Sequence, residues 1–368
     1  METNSWDLKR RALSGIPARW GCFMVVHLAL LAIALLQSAY GADIHVNAGY
    51  AGGNSDGSAE RPFVSIAAGL SACQTGDTVL VAEGVYGERD LLVPAGVTVE
   101  GEGMDVVTVG ATGANSIFEL YGTLSDMTIS HGSYDGTRCY GTSAEIRSCR
   151  ITAGGRNGIY VVDSGVVFTV MDCQITSNGS RGVYVGANNV VASVSNSDIS
   201  HNSNDGIRWD SGSTASMAIT NCVIWHNGND GIDCSSNSTN VSVTECDVAY
   251  NTAYGMYLNV GGSNSVSIER SVVHHNNGWG MHLLVGVINV LHCIVYANGG
   301  GGVYVVNDVP SFRIGSSLIY DNRGTAGIYC RANSSRMNAT LANVTCTSNQ
   351  ASYGVYFTAD SGRIGTFE

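Results

Sequence analysis

From Cys149 to the end of the chain, the phrase Cys-x-Ile-x-x-Asn-x-x-x-Gly-Ile-x-Val returns about every 24 residues. Its fullest copy runs through Cys173, Ile175, Asn178, Gly182, Val183 and Val185, and its Gly recurs at 158, 182, 206, 231, 255, 280, 302, 327 and 354. Such a period restricts the fold to a solenoid, because one repeat cannot bury its apolar side alone and must stack on the next. Ahead of each Cys, apolar residues alternate with polar ones, as in Phe168 and Val170, Met217 and Ile219, or Val241 and Val243. Alternation of period two, without helical periodicity, gives three short strands per repeat separated by Asn, Ser, Gly and Asp. The expected fold is all-β, a triangular parallel β-helix of three-strand coils. Coils about 4.8 Å apart place equivalent residues in columns along the stack.

Three columns read as architecture. Cys149, Cys173, Cys222, Cys246 and Cys293 share an inward column with Ser197, Ser271 and Ser317, so they read as reduced, buried thiols rather than disulfides or metal ligands. The Asn at 178, 202, 227, 251, 276, 298, 322 and 349 reads as a ladder of amides at a strand corner. The Gly column reads as the supplier of unusual backbone conformation.

Lys9, Arg10, Arg11 and Arg19 precede the apolar run Phe23–Leu36 and the small residues up to Gly41. That order reads as a secretory signal peptide over residues 1–41, its apolar part short for a membrane span, with an uncleaved anchor as the alternative. It holds four of the 18 basic and two of the 30 acidic residues, so the mature chain has net charge −14. An acidic secreted or cell-surface or periplasmic protein follows, with no nucleic acid and no membrane as partner.

Residues 42–103 read as an N-terminal cap and first coils, with a short amphipathic helix in Pro62–Leu70 covering the open end; residues 104–368 are the β-helix domain. The order Arg61-Pro62-Phe63, Ile66, Gly76-Asp77-Thr78-Val79, Gly84-x-Tyr86 and Val97-Thr98-Val99-Glu100-Gly101 resembles the N-terminal region of secreted pectate-lyase-like proteins. The repeats are similar to those of the same right-handed parallel β-helix superfamily. The resemblance implies a right-handed coil and an activity among polysaccharide lyases, hydrolases and epimerases, or none. At the other end the last copy is followed by no capping segment, so the chain is expected to be a fragment or to self-associate there.

Because the inward columns are apolar, function is sought outside. The outward position of the third strand reads Tyr160, Tyr184, Arg208, Asp233, Tyr257, His282, Tyr304, Tyr329 and Tyr356. Just before the Gly stand Asn157, Arg181, Asp205, Asp230, Tyr254 and Trp279. Tyr184, Tyr254, Tyr257, Trp279 and Tyr304 are candidates for stacking on a polysaccharide. Asp205, Asp230, Asp233, Arg208 and His282 are candidates for catalysis, and Asp205 and Asp230 for Ca2+. The two latter also fit the Asn-Asp-Gly turn signature, in which case they are exposed and replaceable by Ala for under about 0.5 kcal/mol.

Asn204-Asp205-Gly206 and Asn229-Asp230-Gly231-Ile232-Asp233 are similar to polygalacturonase motifs, although the adjacent Asp pair and the Gly-His-Gly and Arg-Ile-Lys of that family are missing. With no Lys after position 9, only Arg208 or Arg181 is left as a lyase base. A further column, His201, His226, Tyr250 and His275 with His274 adjacent, has the donor type for Zn2+ or Cu2+. The expected function is a secreted protein that binds a polysaccharide, with cleavage by a lyase or hydrolase reaction open to it; the alternative is a non-catalytic scaffold or adhesin.

Overall fold

The computed structural model describes residues 41–368 apart from 114, 131, 211–214, 237–238, 263, 285, 307–308, 310, 334–335, 360–362 and 368. The leader expected over residues 1–41 lies outside the described residues up to residue 40.

Among the described residues the strands form three sheets of 14, 12 and 12 strands, each strand pairing in parallel with its equivalent one coil on. The chain visits the sheets in turn, as in Val167–Met171, Gln174–Thr176 and Val183–Val185. The result is a right-handed parallel β-helix with the three strands per coil that the sequence predicts. Register is continuous through the stack: Tyr184 pairs with Arg208, Arg208 with Asp233, and Asp233 with Tyr257. Phe168, Val170, Ile175, Val183 and Val185 all point into one core, which runs from Ile44 to Ala339.

One short helix is present among the described residues, α1 (Ile66–Ala72). It begins later than Pro62 because Phe63 forms a parallel bridge with Val46, and Ser65 then caps the helix by accepting the Ala68 N–H. Glu88 accepts the N–H groups of Ile66 and Ala67 at 2.8 and 2.9 Å, satisfying two more donors of the first turn. Ile66 joins the core, and Gly69 lets the helix approach so closely that a Cβ there would meet Val46 and Val79 within 2.9 Å.

The Asn column is a continuous amide ladder. Asn227 donates through Nδ2 to Asn251 Oδ1 and to the Ile199 carbonyl, and accepts from the N–H and Nδ2 of Asn202. The same pattern runs from Asn178 to Asn349. The ten described cysteines are free thiols, eight of them buried, and Ser197 accepts the Cys173 N–H at 3.1 Å in place of a thiol neighbour. Burial pushes the Cys173 thiol up to about 12 and Cys293 to about 11, which leaves both unreactive.

The Gly column has a different cause from the one expected. Gly182 and Gly206 do not stand at positive φ; a Cβ on Gly206 would meet the Gly231 carbonyl at 2.6 Å and Asn227 Nδ2 at 2.8 Å. Gly is there for room beneath the ladder. Left-handed backbone occurs instead one residue before the positions of the inward Cys and Ser column and before each Asn of the ladder. Asp172, Asn196, Asn221 and Glu245 have φ of 56, 50, 51 and 56°, and Ser177, His201, His226 and Tyr250 have φ of 58, 56, 52 and 55°. These residues turn the two corners, at a cost for non-glycine side chains that only a repeated, tightly bonded frame sustains.

Candidate functional site

The third sheet's outer face and the corner before it carry the candidate residues. Gly206 N–H bonds to the Asp230 carbonyl one coil on, which aligns Asp205 with Asp230; strand pairing aligns Arg208 with Asp233. Asp205, Asp230 and Asp233 thereby bring carboxylate oxygens within 4.8 Å of one another. They are 1, 5 and 4% exposed, so they are not the exposed turn residues that the Asn-Asp-Gly signature suggests. The Asp230 N–H bonds Asp205 and the Tyr254 N–H bonds Asp230, so the neighbouring coils hold them, and replacement by Ala is no longer a change at the surface.

Each carboxylate has its own set of partners. Asp205 pairs with Arg181 (Nε to Oδ2 3.3 Å) and accepts from Asn229 Nδ2 at 2.7 Å. Asp233 pairs with Arg208 and accepts from the Ser235 hydroxyl at 2.8 Å. Asp230 accepts the Tyr254 N–H at 2.8 Å and makes no ion pair among those found in the described residues. Burial, reinforced by the charges of Asp233 and Asp205, pushes its carboxyl up to about 7. Burial likewise pushes Asp233 to about 6, against the pull of Arg208 and Ser235. The cluster thus holds one carboxyl protonated near neutrality beside two others that are hydrogen-bonded to basic groups.

Arg208 also bonds Asp210 at 2.7 Å. Burial works against its charge, but Asp233 and Asp210 hold it above the ordinary guanidinium value, so it does not act as a proton acceptor. Arg181 lies with its guanidinium 4.6 Å over the Tyr184 ring. Asp210, Asn229 and Ser235 complete the site. Alternation along the strands marks Asp210 and Ser235, since they stand two residues from Arg208 and Asp233 on the same face.

His282 is not part of the cluster. The Tyr257 coil separates it from Asp233. Its ring stacks on Tyr304 at 4.7 Å and meets Tyr254 and Tyr257 edge-on at 5.1 Å. Neither nitrogen has a hydrogen-bond partner among the described residues, and burial pushes the imidazole down to about 4, leaving it neutral. Tyr160 and Tyr184 stack at 5.0 Å, Tyr304 and Tyr329 at 4.9 Å, and Trp279 tilts over Tyr304 at 5.0 Å. Stacked in this way, the rings cover one another's faces and turn their edges outward.

The family described as the right handed beta helix region matches residues 98–196 and 157–315. No curated protein matches the chain in sequence. Among solved structures, the A-module of a mannuronan C-5 epimerase from Azotobacter vinelandii is 16% identical, with 87% of this chain and 96% of that one covered and a TM-score of 0.52. The Dettilon tailspike protein is 14% identical, covering 86% of this chain and 68% of its own, with a TM-score of 0.58. The catalytic domain of a GH87 α-1,3-glucanase, in complex with nigerose, is 10% identical over 81 and 67%, with a TM-score of 0.55. At such identities these are likenesses of fold.

Proposed function

Because the chain belongs to the right-handed β-helix family, we propose that it binds a polysaccharide along the third sheet and hydrolyses it at Asp205, Asp230 and Asp233. The observation that carries this reading is the set of three buried carboxylates within 4.8 Å, one of them poised near pH 7. A glycosidase needs a carboxylic acid to protonate the leaving oxygen and a carboxylate to activate water or attack the sugar. Asp230 is the acid, since it alone of the three lacks a cationic partner. Asp205, oriented by Arg181 and Asn229, is the carboxylate, and the charge of Asp233, itself held by Arg208, opposes ionisation of Asp230.

Two proteins of similar fold are named for action on glycans, the mannuronan epimerase and the α-1,3-glucanase, which suits a saccharide ligand here. Tyr184 on one side of the cluster and Tyr254, Tyr257, Trp279 and Tyr304 on the other extend the binding face along the stack. A Ca2+-dependent lyase is the second reading, with Asp205 and Asp230 as ligands. It is the weaker one because Arg208 is committed to two carboxylates and Arg181 to Asp205. The leader pattern supports a location outside the cytoplasm, and no helix among the described residues is long and apolar enough to cross a membrane.

Incubation with a panel of neutral and uronate glycans, with and without Ca2+, tests the reading. New reducing ends without unsaturated products, lost in Asp230→Asn, are the expected result. Unsaturated products that require Ca2+ establish the lyase instead, and a protein that neither binds nor cleaves any glycan is a scaffold.

A further inference from the structure

His274 and His275, at the second sheet's corner, do not fit the Zn2+ or Cu2+ that their donor type suggests. Their Nδ1 atoms are hydrogen-bonded to each other at 2.7 Å, too close to be two ligands of one tetrahedral ion. Unspent donors lie instead on the third sheet, on the N-terminal side of the carboxylate cluster. The register Arg138, Tyr160, Tyr184, Arg208 places Arg138 three coils, or about 14 Å, from Arg208 along the stack.

Rings hold two guanidiniums there. Arg138 lies 5.2 Å from the Tyr160 centroid and 5.8 Å from those of Tyr134 and Tyr140, and Arg156 lies 4.6 Å from that of Tyr134. Arg156 is exposed, and its side chain makes no hydrogen bond or ion pair among those found in the described residues. Arg138 Nε stands 3.7 Å from Asp135 Oδ2 without bonding it, while Asp135 Oδ1 accepts the N–H and Nδ2 of Asn157 at 3.1 and 2.9 Å. Glu119, the strand neighbour of Arg138 one coil back, forms no ion pair with it among the described residues. A guanidinium laid against a ring keeps its planar fork of N–H donors for an oxyanion.

Nearer the cluster the cations are spent. Arg181 pairs with Asp205 and Arg208 with Asp233. The coils beyond present Tyr254, Tyr257, Trp279 and a neutral His282, and Arg331, farther on, bonds the Tyr304 hydroxyl. A sugar carboxylate or sulfate laid on those rings loses water without gaining a partner. Resting on the reading that a glycan lies along the third sheet, we infer that Arg138 and Arg156 form an oxyanion subsite, so that the ligand is a sparsely charged heteropolysaccharide. It carries a carboxylate or sulfate about 14 Å from the cleaved bond and uncharged sugars at the cluster and beyond it. Neutral glycans leave the two forks empty, and a homopolymer of uronic acid sets charge against uncharged rings.

A glycan array that includes arabinoxylan, glucuronoxylan, a sparsely sulfated agaran and polygalacturonate tests the subsite with the whole protein. The tightest binding is expected to a sparsely charged glycan, and the glucuronoxylan and agaran arms tell carboxylate from sulfate. Affinity for that glycan, measured by calorimetry, should fall at least about tenfold in Arg156→Gln and in Arg138→Gln and become less sensitive to salt. Arg270→Gln, on another corner of the coil and paired with Glu245, should bind as the wild type does. Tightest binding to a neutral glycan or to polygalacturonate overturns the subsite. Undiminished binding in Arg156→Gln does so too, and this exposed side chain can be replaced without disturbing the fold. Hydrolysis confined to neutral glycans and lost in Asp230→Asn overturns the subsite but leaves the cluster's hydrolytic role in place. Binding of a sparsely charged glycan that is lost with the arginines, without cleavage, supports the subsite and overturns hydrolysis; no binding to any glycan overturns both.

Discussion

Two columns run up this helix three residues apart, and both bury polar side chains on the same backbone. The Asn column is uniform from Asn178 to Asn349, and each amide spends its donors and acceptors on the next. The column before the Gly varies along the stack, through Asn157, Arg181, Asp205, Asp230, Tyr254 and Trp279. The first closes on itself and offers nothing to a ligand. The second places carboxylates where like charges and burial oppose their ionisation, an arrangement the fold does not require. In a repeat protein, then, architecture lies where the residue is constant, and chemistry lies where it varies on an unvarying frame.

The sharpest way to break that contrast is Asp230→Asn. The amide retains the shape and can still accept the Tyr254 N–H, but it has no proton to give to a leaving oxygen. Hydrolysis should fall by about 10²–10⁴-fold, equivalent to about 3–5 kcal/mol of barrier, while circular dichroism stays that of the wild type. Retained activity would return Asp230 to the structural class with the Asn.

Asn227→Ala should act in the opposite sense. It removes four hydrogen bonds and leaves the Ile199 carbonyl, the Asn202 amide and Asn251 Oδ1 short of partners inside the wall. The expected loss is about 3 kcal/mol of stability, read by denaturant unfolding. Glycan binding by the protein that remains folded should be unaffected.

The sequence showed the columns because columns are what side-chain identity records. Cys173 with Ser197, the Asn ladder, and the Tyr184, Arg208, Asp233, Tyr257 series all lie where the period places them. Backbone geometry was less legible. The left-handed residues Asp172, His226, Tyr250 and Arg270 share no side-chain chemistry, so nothing in their identities announces φ near 50–56°. The burial of Asp205 and Asp230 was hidden for a related reason. Asn-Asp-Gly reads locally as an exposed turn, whereas here the next coil lies over it. The His274 and His275 contact likewise depends on a corner conformation that adjacency in sequence does not reveal.

The two columns should also differ in their response to pH. Unfolded, Asp230 and Asp233 titrate near 3.8; folded, burial raises them to about 7 and about 6. Between these values the folded protein holds protons that the unfolded chain has released, so stability falls as pH rises, by up to about 1.4 kcal/mol per pH unit for each group. The loss at Asp233 is complete above pH 6 and that at Asp230 above pH 7. Melting curves from about pH 5 to 8 should show this decline. Asp230→Asn should flatten it between about pH 6 and 7 and exceed the wild type in stability at about pH 8, whereas Asn227→Ala should lower every point of the curve equally.

The smallest expected effect concerns the Tyr column, which lies between the two kinds. Its rings pack as regularly as the Asn amides, with Tyr304 sandwiched by His282 at 4.7 Å and Tyr329 at 4.9 Å, and that regularity marks structure. Their edges nevertheless face outward, so a phenol hydroxyl stands along the binding face at coil after coil. Tyr304→Phe separates the two roles, because it keeps the stack and removes only the hydroxyl and its hydrogen bond with Arg331. If the column binds glycan, affinity measured by calorimetry should drop by about fivefold, near the 1 kcal/mol of one hydrogen bond. If the column is architecture alone, Tyr304→Phe leaves affinity unchanged and lowers stability by no more than about 1 kcal/mol, whereas Tyr304→Ala, which opens a gap between His282 and Tyr329, lowers it further. The hydroxyl is the better candidate for a ligand contact than the ring, because each ring face is already occupied by its neighbour in the next coil.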